Sequence, residues 1–271
     1  MSSHLYVARP VDGCAWITGA SSGIGRAMAL KLAQDGWRVA VTARSENALQ
    51  EMVTEASDFR GSIVAFPADV TDAQKMQSIV TSIEEEVGPI ALLIANAGVY
   101  LPQDGLNGRV EEWNRTIDVN LKGAVTAVLP VIDCMKQRHK GQIGLVASVA
   151  GYRGLPTSAA YGATKAGLIN MAEALKFDLD LAGIRIQIIN PGFVDTPATK
   201  SNPFPMPYLM SADEAVGEII KGLKDPKGFE IAFPKPFVRQ LKFLKALPYS
   251  LYFKAVSKST GWSKKTKKTG S

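Results

Sequence analysis

The sequence predicts an α/β fold built on a doubly wound parallel sheet, and three observations lead to that prediction. The chain has 271 residues, enough for one large domain with a single core. Hydrophobic residues make up 46% and charged residues 21%, a composition that excludes wholesale disorder. Short apolar runs alternate with stretches of helical period, as parallel strands covered by helices on both faces require. Right-handed crossovers then favour the doubly wound arrangement.

The predicted strands are short apolar runs rich in β-branched residues, a composition typical of buried parallel strands. They are 14–18, 37–43, 62–67, 90–95, 142–147, 185–190 and 229–233. The predicted helices carry apolar residues at helical spacing. They are 23–35, 46–57, 72–87, 110–138, 160–182 and 211–224. Because ligands in such sheets bind at the carboxyl ends of the strands, functional residues are expected just after each strand.

A glycine-rich turn, TGASSGIG at 18–25, follows the first predicted strand and opens directly into a helix. Its glycines permit a tight turn and a close approach of the backbone to a pyrophosphate at the helix N-terminus. The alternative is a plain turn, but the strand before it and the helix after it favour a Rossmann-type dinucleotide site. The turn contributes Gly19, Ser21, Ser22, Gly23, Ile24 and Gly25 to this predicted site.

The end of the second predicted strand indicates which dinucleotide is bound. An acidic residue there would accept hydrogen bonds from the ribose hydroxyls of NAD. This sequence has Arg44 instead, and a guanidinium can pair with the 2′-phosphate of NADP through charge-assisted hydrogen bonds. The alternative is a solvated surface arginine. The sequence therefore predicts NADP(H) as the cofactor.

Further motifs follow in order along the chain. They are Asn96-Ala97-Gly98, Asn120 in IDVNLKG, Ser148 placed 13 residues before Tyr161, YGATK at 161–165, and PGFVDT at 191–196. Together with the glycine turn, these motifs resemble those of the short-chain dehydrogenase/reductase family, and the resemblance covers nearly all of residues 11–233. It implies a single Rossmann-type domain that binds a nicotinamide cofactor and transfers hydride between it and a carbonyl or alcohol.

The predicted catalytic residues are Asn120, Ser148, Tyr161 and Lys165. Tyr161 and Lys165 are four residues apart on a predicted helix and so share one face. A neighbouring ammonium is expected to lower the phenol pKa from its usual value of about 10. Ser148 ends a strand, where its hydroxyl can hydrogen-bond a substrate oxygen. The alternative is a surface Tyr–Lys pair with Ser148 capping a turn.

The resemblance adds roles that the residues alone do not indicate. It implies that Asn120 holds a water linking Lys165 to solvent, and that Lys165 binds the nicotinamide ribose. It also implies that Asp69 and Val70 border the adenine, although Asp69 could be an ordinary helix N-terminal residue. The remaining implied cofactor contacts are Asn96, Gly98, Tyr161, Pro191, Gly192, Val194 and Thr196. The sequence has no CxxC pair and no Cys/His cluster, so no metal site is predicted.

These expectations converge on an NADPH-dependent carbonyl reductase, equally able to act as a secondary-alcohol dehydrogenase. The segment 198–224 begins with a proline-rich apolar stretch and is predicted as a lid over an apolar, lipid-like ketone. The alternative is a segment packed permanently on the core. A non-catalytic NADP(H)-sensing protein is the rival function. The family resemblance implies a homodimer or homotetramer, although burial within one chain explains the broad apolar helix faces equally well.

The charge of the chain is concentrated at its C-terminal end. The formal net charge is +6, yet residues 234–271 carry ten Lys and Arg and no acid, which leaves −4 for residues 1–233. This distribution disfavours a nucleic-acid partner. The sequence predicts two units, a catalytic domain at 1–233 and a basic amphipathic extension at 234–271.

The extension contains a predicted helix with opposed apolar and basic sides. Phe237, Leu241, Leu244 and Leu247 fall on one side, and Arg239, Lys242 and Lys245 on the other. This pattern is typical of an interfacial helix attracted to anionic lipid, and it predicts peripheral membrane contact. The alternative is a helix docked on the protein's own body. The N-terminus lacks the apolar region of a signal peptide, so a cytoplasmic location is expected.

Overall fold

The structure, a computed structural model, describes residues 6–200 and 205–262 and confirms the Rossmann-type parallel sheet. In these residues, seven parallel strands form one sheet in the order β3-β2-β1-β4-β5-β6-β7. The strands are β1 (Cys14–Thr18), β2 (Arg38–Thr42), β3 (Ser62–Ala65), β4 (Ile90–Ala95), β5 (Gly141–Val146), β6 (Ile184–Pro191) and β7 (Glu230–Phe233). The strand order reverses between β1 and β4, so a ligand is expected at the carboxyl ends of these two strands.

Helices cover both faces of this sheet. They are α1 (Gly23–Gln34), α2 (Glu46–Glu55), α3 (Ala73–Ser82), α4 (Val110–Ile117), α5 (Gly123–Arg138), α6 (Ala159–Leu181), α7 (Ala212–Lys224), α8 (Lys235–Ala246) and α9 (Tyr249–Ser259). The predicted helix at 110–138 is divided into α4 and α5 by a π-helical turn, Asp118–Lys122. Such a turn holds an extra residue, and Asn120 within it is fully buried.

The alternation of side chains along β1 shows how the two faces are packed. Ala15 and Ile17 lie in the layer that contains residues of α1, α2 and α7. Cys14 and Trp16 point to the opposite layer, which contains residues of α3, α5 and α6. All four side chains are buried, so β1 lies at the centre of the fold and fixes the position of the turn that follows it.

The C-terminal extension is helical and packs on the rest of the domain. Phe237 and Val238 of α8 are buried in a small cluster with Val149 and Tyr152, next to the fifth strand. Leu241 packs against the same cluster. The apolar side of the predicted tail helix is therefore docked on the body. Among the described residues, no helix has both the length and the apolar character needed to cross a membrane.

Candidate active site

The glycine turn after β1 has the geometry of a dinucleotide cradle. Gly19 and Gly23 have φ angles of +65° and +55°, in the left-handed region that favours glycine. A β-carbon at Gly19 would lie 2.6 Å from the Ala97 Cα, and one at Gly25 would lie 2.4 Å from the Gly19 carbonyl oxygen. The Ser22 side chain makes no capping hydrogen bond to α1. A tight glycine turn in front of a helix N-terminus without a side-chain cap fits a pyrophosphate.

Residues from two other strands hold this turn in place. The Asn96 amide donates to the Thr18 and Gly19 carbonyl oxygens, at 3.0 and 3.1 Å. On the other side, the Thr196 methyl lies 3.0 Å from the place of a β-carbon on Gly23. The structure therefore brings the loops after β1, β4 and β6 together at one edge of the sheet. Of the other predicted residues of this turn, Ile24 and Ser21 are partly buried and Ser22 is exposed.

Arg44 and Asp69 lie near each other beyond the ends of β2 and β3. Burial raises the pKa of Asp69, but hydrogen bonds from Thr71 and the charge of Arg44 hold it below its usual value. The Asp69 carboxylate accepts from the Thr71 N–H at 2.9 Å and from its hydroxyl at 2.8 Å. The N-cap of α3 is Asp72, and Asp69 lies in the turn just before it, where its carbonyl oxygen accepts from the Asp72 N–H at 3.1 Å. Arg44 is exposed at the edge where a nucleotide would lie.

Val70 and the loop after β6 border the same edge of the sheet. Val70 is buried, and a β-carbon on Gly123 would lie 2.6 Å from its side chain. Gly192 donates its N–H to the Phe233 carbonyl oxygen at 2.7 Å, which anchors the loop to the end of β7. Pro191 ends β6, and Val194 is buried and paired with Met210 in an isolated bridge. These contacts fix the course of the backbone past the sheet edge.

The four predicted catalytic residues converge beside the glycine turn. A β-carbon on Gly98 would lie 3.3 Å from the Asn120 Oδ1 and 3.5 Å from the Lys165 Nζ. The Lys165 Nζ lies 5.6 Å from the Tyr161 ring centroid, and Ser148 lies close enough to Tyr161 to lower its pKa. Asn120, Ser148 and Lys165 are buried. Lys165 is buried and Tyr161 is partly buried, so the two do not form the surface pair of the alternative interpretation. The other half of that interpretation holds, because Ser148 caps the turn Val149–Gly151 and its hydroxyl accepts from the Ala150 N–H at 3.1 Å.

Asn120 connects this cluster to the loop after β4. Its Oδ1 accepts from the Val99 N–H at 2.7 Å, and its Nδ2 donates to the Val99 carbonyl oxygen at 2.9 Å. The same Nδ2 lies 3.3 Å from the Thr164 hydroxyl on α6. Asn120 thus joins α6 to the chain segment that contains Gly98.

The direction of the Tyr161 pKa differs from the sequence prediction. Burial raises the pKa of Tyr161 to about 12, and the hydrogen bond with Ser148 offsets only part of this effect. The predicted lowering of this pKa by Lys165 is not found, because the effect of burial exceeds every opposing influence; the Lys165 ammonium donates to the Val146 carbonyl oxygen at 2.8 Å. Burial lowers the pKa of Lys165 itself to about 8. At neutral pH Tyr161 is therefore a protonated phenol that can donate a proton.

The structure adds residues near Tyr161 that the sequence did not indicate. The Tyr100 ring meets the Tyr161 ring edge-on, with centroids 5.0 Å apart, and its hydroxyl lies 3.3 Å from that of Thr157. Gln103 accepts a hydrogen bond from the Ala160 N–H at 2.8 Å, in the first turn of α6. No local sequence signal could have found Gln103, since its partner is 57 residues away.

The described part of the predicted lid lies beside the C-terminal extension. Tyr208 and Leu209 are about half exposed. The Tyr208 ring centroid lies 6.1 Å from that of Phe237, and its hydroxyl accepts from Gln240 of α8 at 3.2 Å. Pro203 and Phe204 of this segment lie outside the described residues. In the described ranges, no three His, Cys, Asp or Glu side chains are grouped so that they could hold a metal ion.

Comparisons with known proteins agree with this geometry. The family model for short chain dehydrogenases matches residues 13–204. An oxidoreductase of Myxococcus xanthus is 37% identical over 241 residues, which cover 88% of this chain and 94% of that protein. A 3-oxoacyl-acyl-carrier-protein reductase of Thermotoga maritima is 36% identical over 187 residues, covering 69% of this chain and 76% of that protein.

A solved structure extends the comparison to three dimensions. The crystal structure of a variant of actinorhodin polyketide ketoreductase with NADPH superposes on this chain with a TM-score of 0.75. The sequences are 25% identical, and the match covers 83% of this chain and 96% of the ketoreductase. The architecture of the sheet and its helices is therefore shared with a protein whose structure contains a nicotinamide dinucleotide.

Proposed function

Since the chain belongs to the short-chain dehydrogenase family, we propose that this oxidoreductase is a carbonyl reductase that uses NADPH. The observation that carries the proposal is the convergence of Asn120, Ser148, Tyr161 and Lys165 beside the glycine turn. These residues come from the π turn before α5, the end of β5 and the start of α6. A partly buried proton donor next to a dinucleotide cradle suits the reduction of a ketone.

The protein's own groups act on the carbonyl oxygen. The Ser148 hydroxyl now makes a long contact of 3.4 Å with the Pro191 carbonyl oxygen, and it would donate to a substrate oxygen instead. Tyr161 donates the proton that completes the alcohol, since its raised pKa keeps the phenol protonated. A bound nicotinamide would supply the hydride for the carbonyl carbon. Lys165 would hold the ribose next to it, and Asn120 fixes α6 against the loop that contains Gly98.

The position of Arg44 supports NADPH rather than NADH as the cofactor. Its exposed guanidinium follows β2, where a carboxylate would otherwise meet the adenosine ribose. The charge of Arg44 also acts on Asp69, so the two side chains lie close enough to frame one nucleotide end. The NADPH in the actinorhodin ketoreductase structure agrees with this choice.

The proposed substrate is an apolar, lipid-like ketone, or the corresponding secondary alcohol in the reverse direction. The support is the composition of the segment 198–224, whose Tyr208 and Leu209 are about half exposed. The similar proteins include, by their names, a 3-oxoacyl-acyl-carrier-protein reductase and a polyketide ketoreductase. We propose that the first part of the predicted lid 198–224, residues 198–210, covers the substrate as part of a catalytic unit at 1–233. The second part, α7, packs on the sheet through Ala215, Val216 and Ile219, as the alternative of a permanently packed segment requires.

Turnover of NADPH with a panel of ketones tests the proposal. Long-chain 3-oxo compounds, steroids and small diketones are offered in parallel, with Tyr161→Phe as the matched control. NADPH oxidation that depends on both ketone and Tyr161 is the expected result, with kcat/KM rising as the substrate chain lengthens. NADPH binding without oxidation for the whole panel would favour the rival function, an NADP(H)-sensing protein. The convergence of Asn120, Ser148, Tyr161 and Lys165 disfavours that rival, because sensing needs no proton donor.

We also propose how the enzyme assembles and where it works. Leu129 on α5, with Phe177 and Leu181 on α6, is exposed in the single chain, which supports a homodimer or homotetramer formed through these helices. Light scattering after gel filtration measures the mass in solution. We infer a cytoplasmic enzyme whose basic extension, 234–271, contacts membranes peripherally.

A further inference from the structure

We propose that the outward side of α8 and α9 is a docking surface for a bilayer of anionic phospholipid. The inference rests on the peripheral contact proposed above and names its surface and its lipid class. It does not depend on the reductase chemistry, because binding to vesicles is measured without substrate. The side that faces the lipid is not the side that the helical pattern of the sequence indicates.

The inward side of the two helices is already occupied by the protein. Phe237 and Val238 of α8 and Tyr252 and Val256 of α9 are all buried. The Tyr252 hydroxyl donates to the Gly154 carbonyl oxygen at 2.6 Å. These apolar side chains cannot enter a bilayer while the helices remain docked.

Ion pairing and hydrogen bonds fix α8 in this orientation. Lys242 forms an ion pair with Glu230 of β7, and Glu230 also accepts from the Tyr152 hydroxyl at 2.5 Å. The Arg153 guanidinium donates to the Leu247 carbonyl oxygen at 2.7 Å. The helices thus form a rigid support, so their outward side chains keep a fixed position.

The outward side carries large apolar residues in a short stretch of chain. Phe243 is 68% exposed, Tyr249 72%, Leu251 51% and Phe253 62%. Phe243 lies two residues after Leu241, about 200° around the helix from that inward side chain. The Tyr249 and Phe253 rings stack with centroids 6.0 Å apart. Several exposed aromatic residues so close together mark an interaction site, and aromatic rings suit the bilayer interface.

The charge around these residues selects the lipid. The described residues of the extension include Lys235, Arg239, Lys242, Lys245, Lys254 and Lys258, and the sequence 234–271 contains no acid. Four more lysines, in 263–271, lie outside the described residues. Exposed aromatic residues among cations of one sign fit an anionic surface, where each Lys or Arg adds attraction.

A groove beside Tyr249 offers a place for a headgroup phosphate. It has a volume of about 480 Å³, and Arg153 and Lys245 line it together with Tyr152, Leu247 and Pro248. The Arg153 guanidinium lies 4.0 and 4.6 Å from the Tyr252 and Tyr249 ring centroids, which holds it at the groove. Two cations in an open groove next to exposed rings suit a phosphate attached to an acyl chain.

Co-sedimentation of the full chain with vesicles tests this surface. Phosphatidylcholine vesicles are compared with vesicles that also contain phosphatidylglycerol. We expect binding only with phosphatidylglycerol and a loss of binding as NaCl is raised. Phe243→Ser combined with Phe253→Ser should weaken binding by about tenfold or more. Lys254→Glu combined with Lys258→Glu should do the same.

Matched controls separate the surface from general effects of the substitutions. Val11→Ser with Val110→Ser removes exposed apolar residues elsewhere, and Lys221→Glu with Lys224→Glu makes the same charge change on α7. Both controls should bind like the unchanged chain. Thermal unfolding and turnover of a water-soluble ketone should be the same in all variants, which shows that each one folds.

Three results would overturn the inference. The first is that the full chain binds neither kind of vesicle, and the second is that it binds both kinds equally. The third is that the Phe243/Phe253 and Lys254/Lys258 variants bind as well as their control variants. A change of solution mass in the Phe243→Ser and Phe253→Ser variant, with vesicle binding unchanged, would identify a second copy as the occupant instead. Failure of ketone turnover in every variant, with vesicle binding as expected, would count against the proposed function alone.

Discussion

Replacement of Gln103 by leucine tests whether a side chain far from α6 in sequence holds the first turn of that helix. The N-cap of α6, Ser158, makes no side-chain hydrogen bond to the helix. The Gln103 Oε1 instead accepts from the Ala160 N–H at 2.8 Å, one residue before Tyr161. Gln103 also donates its own N–H to the Thr157 carbonyl oxygen at 3.0 Å, which leucine would keep. The substitution therefore removes one buried contact and leaves the backbone in place.

The size of the effect follows from the burial of this contact. Leaving the Ala160 N–H without an acceptor costs about 1–3 kcal/mol. The Gln103 Nε2 is buried without a partner in the described residues, and leucine removes that unfavourable atom. These two effects largely cancel, and what remains is the loss of one hydrogen bond, so we expect the free energy of unfolding to fall by about 0.5–1.5 kcal/mol. If the same cost displaces Tyr161, kcat falls by about two- to thirteenfold.

Urea unfolding and steady-state kinetics measure the two quantities. Gln77→Leu is the matched control, because Gln77 is exposed on α3 and its change should stay within about 0.5 kcal/mol. We expect the KM for NADPH to be nearly unchanged in Gln103→Leu, since the glycine turn is not touched. Gln103→Glu keeps an acceptor at the helix N-terminus and should recover most of kcat. Equal stability and equal kcat in Gln103→Leu and Gln77→Leu would refute the reasoning.

Three further predictions concern the proton donor, the cofactor and the pH profile. Tyr161→Phe should lower kcat by about 10²–10⁴-fold while NADPH binding, measured by fluorescence titration, stays intact; near-normal turnover would exclude Tyr161 as the donor. Arg44→Ala should raise the Kd of NADPH by about 10–100-fold and leave that of NADH unchanged, with the exposed Arg60→Ala as control; a parallel loss for both would contradict the 2′-phosphate contact. Lys165 is an ammonium below its pKa of about 8 and loses that proton as the pH rises, so kcat/KM for ketone reduction should fall above pH 8. Tyr161, with a pKa of about 12, stays protonated across that range, and a profile that is flat to pH 10 would argue against Lys165 as a cofactor contact.

Most of the fold could be predicted because its signals are local. Each strand of a sheet covered on both faces is a continuous apolar run, so β1, β4 and β5 are visible in the sequence almost residue by residue. The predicted helix at 110–138 missed its interruption at Asp118–Lys122. The helical spacing of apolar residues continues through that turn, so the spacing does not reveal the interruption of the helix.

The residues of the candidate site likewise include some with a local sequence signal and some without one. Short sequence motifs predict the glycine turn and the Tyr161–Lys165 pair, because each depends only on the backbone of a single turn. Tyr100 and Gln103 carry no such signal. They reach Tyr161 and α6 only because the loop after β4 folds over the start of that helix.

The sequence by itself determined the fold class, the dinucleotide cradle and the order of the motifs around it, because each follows from residue types at fixed spacing. The tertiary structure alone decided two further points. Burial, which depends on the whole packed interior, sets the direction of the Tyr161 pKa against the expected influence of Lys165. The docking of α8 and α9 turns Phe237 and Leu241 inward and leaves Phe243 and Phe253 exposed. A helical pattern shows that two sides differ, but only the packed neighbours determine which side meets the solvent.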